Sequence, residues 1–429
     1  MMPYADLFWT HRLFHMLVYI MQEAESRAAQ HEMSRFSDAE FSGKRPVYER
    51  RLTKRKANDG RPGADSQDPD KPKPGFPPDS LVFSAEFEGG NLYKVTQVGK
   101  DEYDLLLAPD TATSRHMQWF YFRIANVRQG SQYKFNIVNM CKKQSLYNCG
   151  LRPLTYSDQR LLQSGIGWVR SCHDIAYFRS SLYYRQQSGI PFRTLTFTYT
   201  GEFDGDSVFF AHCYPYGLQQ LKTDLSEILS DPDRMPHLTQ MNLCKTMGGN
   251  DCPLLLIPGG GHEKSTKPAV VVAARCHPGE TPASFMMRGV IRFLTSADPE
   301  AVALRAVYEF YVIPMLNPDG VAAGNSRSTL DGIDMNRMWN EAMMSQKRRD
   351  LSVLAAVKSL IAKIKKKTSV ALVLDLHAHS RRFNVFAYGC RPVKGLALAD
   401  SQPKGFERVF PKLLSQRSPA FLYTGCSYR

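Results

Sequence analysis

Apolar positions change rhythm about halfway along the chain. From Leu81 to about Pro236 they alternate in short runs separated by turn residues. Gln118-Trp-Phe-Tyr-Phe-Arg123, Tyr133-Lys-Phe-Asn-Ile-Val138, Thr194-Leu-Thr-Phe-Thr-Tyr199 and Val208-Phe-Phe-Ala-His-Cys213 are the clearest. Period-two alternation places successive side chains on opposite faces of a strand. Many such strands without long helices between them predict an antiparallel β-sandwich over 81–240. His212, near Tyr214 and Tyr216, reads as a packed strand histidine.

Past the turn-rich Pro258-Gly-Gly-Gly261 the rhythm becomes strand, helix, strand. Ala269 to Ala274 is a continuous apolar run, as expected of a strand buried on both faces. A helix follows, with Thr281 as its cap, Pro282 in its first turn and Phe285, Met286, Ile291 and Leu294 recurring near helical spacing. Tyr308 to Leu316 predicts the next strand, closed by the turn signal Asn317-Pro-Asp-Gly320. Leu351, Leu354, Val357, Leu360, Ile361 and Ile364 predict an amphipathic helix ending at Lys365-Lys-Lys367. Val370 to Leu376 and Asn384 to Tyr388 read as further strands. Residues 241–429 are therefore expected to form an α/β domain, with chemistry at the carboxyl ends of its strands. Residues 1–80 read as a basic, largely disordered arm: polar from about Arg35, crowded with Pro and Gly between Arg61 and Pro78, and basic from Lys44-Arg45 to Lys54-Arg-Lys56.

Composition narrows the classes only a little. The 429 residues are 43% hydrophobic, enough for sizeable cores, and carry a formal net charge of +14. Such a charge favours polyanionic partners. No zinc-finger spacing, RNA-binding aromatic signature or internal repeat accompanies it, so nucleic acid is not expected. Leu13 to Met21 is too short to span a bilayer and has no clear cleavage site after it, so no membrane association is expected either. The nine cysteines are odd in number and lack any Cys-x-x-Cys pair, consistent with reduced thiols. Cys276 is read as facing away from its neighbour His277.

The chemistry concentrates at two strand ends. His277-Pro-Gly-Glu280 follows the first apolar strand, and Asp375-Leu-His377 ends the later one. Two imidazoles and a carboxylate make a three-ligand zinc site that leaves a fourth position open. His-x-x-Glu alone is a weak motif. It gains weight because Pro278-Gly279 can turn both side chains to one point, and because Arg327, Asp334, Asn336 and Arg337 lie between the two strands. Such a group suits a substrate carboxylate.

Arg275-Cys-His-Pro-Gly-Glu280, Pro314-Met-Leu-Asn-Pro-Asp-Gly320, Gly324-Asn-Ser-Arg327, Asp334-Met-Asn-Arg337 and Asp375-Leu-His-Ala-His-Ser380 together resemble the motifs of the cytosolic carboxypeptidases, a branch of the zinc carboxypeptidase superfamily. Glu86-Phe-Glu-Gly-Gly-Asn91, Gln118-Trp-Phe-Tyr-Phe122 and Ala211-His-Cys-Tyr-Pro-Tyr216 resemble that branch's N-terminal β-domain. The resemblance implies a zinc carboxypeptidase domain preceded by a β-sandwich, with His277, Glu280 and His377 as zinc ligands. It implies that Arg327 steadies the developing oxyanion, that Asn336 and Arg337 grip the terminal carboxylate, and that Asp334 orients His277. His379 stands near the site without being a ligand. The implied substrates are polyglutamate chains and acidic C-terminal tails, tubulin above all. The implied setting is the cytoplasm, with microtubules, basal bodies or cilia as associated structures.

The chain also departs from the family pattern. It ends at Arg429, before the region expected to carry the general-base glutamate, and Glu407, expected on a solvated helix face, lacks that context. Read this way the α/β domain is truncated, with an unpaired sheet edge. Loss of a general base typically lowers a rate by roughly 10²–10⁴-fold. Ala378 replaces a usual Gly, and Ser326 a usual aromatic. The alternatives are a catalytically silent zinc- or tail-binding fragment and a hydrolase of acylated amino acids.

Overall fold

The computed structural model describes residues 46–50, 77, 79–183, 191–258, 266–340, 352–390 and 405–428. The first unit is a two-sheet sandwich. Its strands are β1 (Tyr48–Glu49), β2 (Val82–Ser84), β3 (Leu92–Gly99), β4 (Glu102–Leu107), β5 (Tyr121–Val127), β6 (Gln132–Met140), β7 (Leu154–Ser157), β8 (His173–Tyr183), β9 (Pro191–Thr200) and β10 (Asp206–Ala211). One sheet runs β1-β3-β4-β6-β9-β8 and the other β2-β5-β10-β7. The sandwich is not wholly antiparallel as the alternation predicts, because β4 and β6 pair in parallel. The chain leaves β4 for β5 in the opposite sheet and returns alongside it, a crossover that preserves direction.

Inward-facing residues of the two sheets interleave as an aromatic core. Phe120, Phe122, Phe135, Phe197 and Phe210 are fully buried. Phe210 lies 5.2 Å from Phe122 and 5.3 Å from Phe135, ring centre to ring centre. The predicted strand 118–123 begins only at Tyr121, because the amides of Gln118 and Trp119 donate to Ser326 Oγ (3.3 and 2.8 Å) instead of to a neighbouring strand. Not all of residues 1–80 is an arm. Tyr48 and Glu49 pair with Val95 and Lys94, Val47 and Tyr48 are buried, and Arg50 donates to Gly90 O at 2.9 Å. Two adjacent apolar residues suffice to dock this strand, and its polar flanks conceal it in the sequence. Leu13 to Met21, Lys44-Arg45, Lys54-Arg-Lys56 and most of 61–78 lie outside the described residues. A short helix, α1 (Asp158–Ser164), is capped by Ser157 Oγ.

The second unit comprises α2 (Leu218–Ser230), β11 (Thr239–Lys245), β12 (Asp251–Ile257), β13 (Ala269–Ala274), α3 (Pro282–Leu294), α4 (Pro299–Val307), β14 (Glu309–Ile313), α5 (Pro318–Ala323), α6 (Ser352–Lys367) and β15 (Val370–Leu376). It starts before residue 241, since Leu221, Leu225 and Ile228 of α2 pack in the same core as β13. The sheet order is β11-β12-β14-β13-β15. It is mixed: β13 is parallel to β14 and β15, while β11, β12 and β14 pair antiparallel. All six residues of β13 are buried. Val270, Val272 and Ala274 face α2 and α3, whereas Ala269, Val271 and Ala273 face the side covered by α6. That two-sided burial is why the strand is apolar at every position.

Local details differ from the sequence reading in ways the backbone explains. Thr281 already has helical dihedrals (φ −58°, ψ −31°) and makes no side-chain cap, since a capping side chain needs an extended backbone. Asn317 opens α5 rather than only a turn, its side chain accepting from Gly320 N at 3.0 Å. The strand expected over 384–388 is reduced to a bridge from Val385 to Phe421 and a short pairing of Tyr388–Gly389 with Ser427–Tyr428. Among the described residues β15 is the sheet's outer strand, and no helix is long and apolar enough to cross a membrane.

Truncating the centre of the sandwich is expected to cost what a large aromatic cavity costs. Phe210→Ala should lower unfolding free energy by about 3–5 kcal/mol in denaturant titration, and a loss below 1 kcal/mol would contradict this packing.

Candidate metal centre

Parallel pairing of β13 with β15 aligns Ala274 with Leu376. The two chain segments leaving these strands therefore emerge side by side, which places His277 near His377. Arg275 shapes the first exit. It is buried with a left-handed backbone (φ 59°), a conformation that a non-glycine residue holds only when its surroundings demand it. Its guanidinium supplies that demand: Nε donates to Pro278 O at 2.9 Å, and Nη1 donates to Tyr216 O and Ser284 Oγ, both at 2.8 Å. Burial pushes this guanidinium down to about 10. The turn closes with Glu280 N donating to His277 O at 3.2 Å. Gly279 is needed because a Cβ there would lie 2.9 Å from Ser326 O, on the loop that carries Arg327.

His277, Glu280 and His377 each offer a ligand atom, and these atoms lie within 4.8 Å of one another. The Glu280 carboxylate sits between the rings: Oε1 is 2.9 Å from His277 Nδ1 and Oε2 is 2.8 Å from His377 Nδ1. Ala378 N also donates to Oε2 at 3.0 Å. Each ring has a carboxylate at its other nitrogen. Asp334 Oδ1 is 3.2 Å from His277 Nε2, and Asp375 Oδ2 is 2.8 Å from His377 Nε2. Carboxylates only accept, so both nitrogens of each ring face an acceptor. A cation bound between the Nδ1 atoms and Glu280 would leave each Nε2 as the protonated nitrogen facing its aspartate.

That arrangement is short of positive charge. Burial by itself would raise the Glu280 carboxyl, but the two imidazoles hold it well below the usual range. Burial works against a charged His377, yet Asp375 and Glu280 push its ring up to about 10. Burial also opposes the Asp334 carboxylate, and His277 and Arg327 hold it low. Two lone pairs facing a carboxylate at 2.8–2.9 Å need either protons or a cation between them. One divalent cation satisfies all three donors, and two nitrogens with one oxygen are the donor set of a hydrolytic zinc site.

The remaining predicted residues surround this point. Arg327 Nε donates to Asp334 Oδ2 at 2.6 Å, so one carboxylate joins the guanidinium to His277. Arg327 Nη2 is buried and has no acceptor among the described residues. Asn336 is buried, its Nδ2 2.9 Å from His377 Nε2 and its Oδ1 accepting from Trp339 Nε1 at 2.9 Å. Arg337 is exposed, with Nη1 reaching Asn336 O at 3.5 Å. His379 accepts from the amides of Arg381 and Arg382, both at 3.1 Å, and is not in the ligand cluster. Cys276 is buried in the apolar cluster of Ile313, Leu316 and Met335, and burial raises its thiol. Glu407 does not sit on a solvated face; its side chain is 13% exposed and lies 3.6 Å from Arg408 Nε. His212 packs on Phe120 and lies 2.8 Å from Tyr147 Oη, and burial pushes it down to about 3.

Three contributors escape a reading of the strand-end motifs. Asp375 has a signal, because strand alternation puts it on the face of His377. Lys142 and Asp110 have none: both belong to the sandwich, and only the folded chain brings Lys142 Nζ to Ser380 Oγ (2.7 Å) and Asp110 to the Arg327 loop. Burial, opposed by Glu280, pushes Lys142 down to about 8.

Residues 230–412 match the zinc carboxypeptidase family model, and residues 83–212 match that of the cytosolic carboxypeptidase N-terminal domain. The chain is 41% identical over 353 residues to cytosolic carboxypeptidase 2 of Xenopus tropicalis, covering 81% of this chain and 35% of that protein. It is 38% identical over 371 residues to cytosolic carboxypeptidase 1 of Danio rerio, covering 82% and 32%. It thus spans well under two thirds of these relatives' length. Among solved structures, a metallo-carboxypeptidase from Burkholderia cenocepacia shares the fold with a TM-score of 0.62 at 22% identity, covering 82% of this chain and 83% of that one. A Pseudomonas aeruginosa metallo-carboxypeptidase aligns with a TM-score of 0.56 at 25% identity, covering 78% and 76%. The metal of this family is zinc, in keeping with the donor set. By its two matched domains and its relatives over four fifths of its length, the chain belongs to the cytosolic carboxypeptidases of the zinc carboxypeptidase superfamily.

Proposed function

We propose that this protein is a zinc metallocarboxypeptidase that removes C-terminal glutamates from polyglutamylated or acidic protein tails, those of tubulin among them. The observation that carries this reading is the convergence of His277, Glu280 and His377 beside an arginine whose Nη2 is buried without an acceptor. Zinc held by these three side chains would acidify a bound water and polarise the scissile carbonyl. With zinc bound, Asp334 and Asp375 would each accept from an Nε2–H and leave the two Nδ1 atoms for the metal. Arg327 is held by Asp334 through Nε, and its idle Nη2 is the donor offered to the oxyanion. One such donor is typically worth roughly 3 kcal/mol. Asn336 and Arg337 take the terminal carboxylate, which makes the activity an exopeptidase one.

Acidic tails suit the surroundings. Lys142, Arg327 and Arg337 lie around the centre, Arg381 and Arg382 follow His379, and the whole chain carries +14. A cytoplasmic setting close to microtubules fits such substrates and completes the proposal.

Two measurements check it. Purified protein should hold one zinc per chain by elemental analysis, His277→Ala should lose it, and Asp375→Asn should weaken zinc affinity by about 10–100-fold. Unchanged zinc content in His277→Ala would refute the ligand set. Incubated with polyglutamylated tubulin, the zinc-loaded protein should release free glutamate, and Arg327→Met should lower kcat by about 10²–10³-fold. Zinc retention without glutamate release would leave only tail binding.

A further inference from the structure

We infer that Asp110, a residue of the sandwich, is the positioning residue for Arg327. The inference rests on the proposed role of Arg327 at the oxyanion and assigns what sets that arginine's place. Asp110 is 2% exposed and follows β4. Its carboxylate takes up the backbone of the Arg327 loop. Oδ1 accepts from Ser326 N at 2.5 Å, while Oδ2 accepts from Arg327 N, Ser328 N and Ser328 Oγ, each at 2.7 Å. Three successive amides turned onto one carboxylate form a preorganised anion cradle, here filled from within the protein.

Neighbouring residues reinforce the grip. Thr111 donates to Asn325 Oδ1 through both N and Oγ1, at 3.0 Å each. Gln118 and Trp119 donate their amides to Ser326 Oγ. The loop is thereby fixed to the sandwich on one side, and Gly279 N donates to Ser326 O at 2.9 Å on the other. The Arg327 side chain is then held at Nε by Asp334, which leaves Nη2 no freedom to search. The two clamps act at opposite ends of one residue, and the β-domain thus works as part of the site rather than as an appendage. A displacement of about 1 Å at a group of this kind costs on the order of 100-fold.

Asp110→Asn keeps the shape but turns an N–H₂ group towards backbone donors. The test is a double-mutant cycle on the zinc-loaded protein, read by calorimetric binding so that turnover is not required. The probes are a phosphonate analogue of glutamyl-glutamate, tetrahedral at the scissile position, and free glutamate. Asp110→Asn should weaken the phosphonate by about 10–100-fold, with free glutamate and zinc stoichiometry changed less than about twofold. In an Arg327→Met background the same substitution should change phosphonate affinity by less than about twofold. Equal phosphonate binding by wild type and Asp110→Asn overturns the inference and leaves the proposed function standing. So does a loss that persists without Arg327, which marks a scaffold role only. Failure of the zinc-loaded wild type to bind the phosphonate overturns the proposed function and this inference together. Should Asp110→Asn not fold, Ser328→Ala, which removes the hydroxyl that donates to Asp110 Oδ2, carries the same predictions.

Discussion

A single carboxylate set between two imidazoles is the constraint on which the rest of the site depends. Glu280 lies 2.9 Å from one ring and 2.8 Å from the other, and both rings are backed by further carboxylates. Such a cluster, buried as it is, cannot remain without a compensating positive charge, because desolvated like charges are far costlier than exposed ones. Protonated imidazoles meet that need when no metal is present, and a divalent cation meets it better. The surrounding structure can be understood as what holds these groups together against their tendency to separate.

Two arrangements do the holding. Parallel register between β13 and β15 brings two distant stretches of chain to one edge, and the buried Arg275 bends the first of them through a left-handed residue onto the site. The sandwich then closes over the other side. Asp110, Thr111, Gln118 and Trp119 bind the loop of residues 325–328, and Lys142 reaches Ser380 just beyond His377. These links leave no slack between the two units at the reacting groups, so the β-domain contributes geometry that a carboxypeptidase sheet alone does not supply.

Much of this was legible in the chain itself, and the exceptions have physical causes. The apolar runs from Ala269 to Ala274 and from Val370 to Leu376 coincide with observed strands. The first is apolar throughout because it is buried on both faces, whereas the second is the outer strand among the described residues and is mostly half-buried. The metal-ligand candidates could be read from spacing, since His277 and Glu280 share a tight turn and His377 ends the paired strand. What could not be read were interactions between residues far apart in sequence. Tyr48–Glu49 is too short to show a period, the β4–β6 pair is parallel only because the chain crosses between sheets, and Asp110 meets Arg327 across 217 residues. Thr281 shows a different failure: the right residue type stands at the cap position before Pro282, but its backbone is already helical, so its buried hydroxyl has nothing to bond.

Anomalous scattering at the zinc edge from crystals of the purified protein tests the central claim most directly. The account predicts one strong peak with His277 Nδ1 and His377 Nδ1 at about 2.0–2.1 Å and a Glu280 oxygen at about 2.0–2.2 Å. No peak at that point, or a peak ligated by Nε2 atoms or by Cys276, would contradict it.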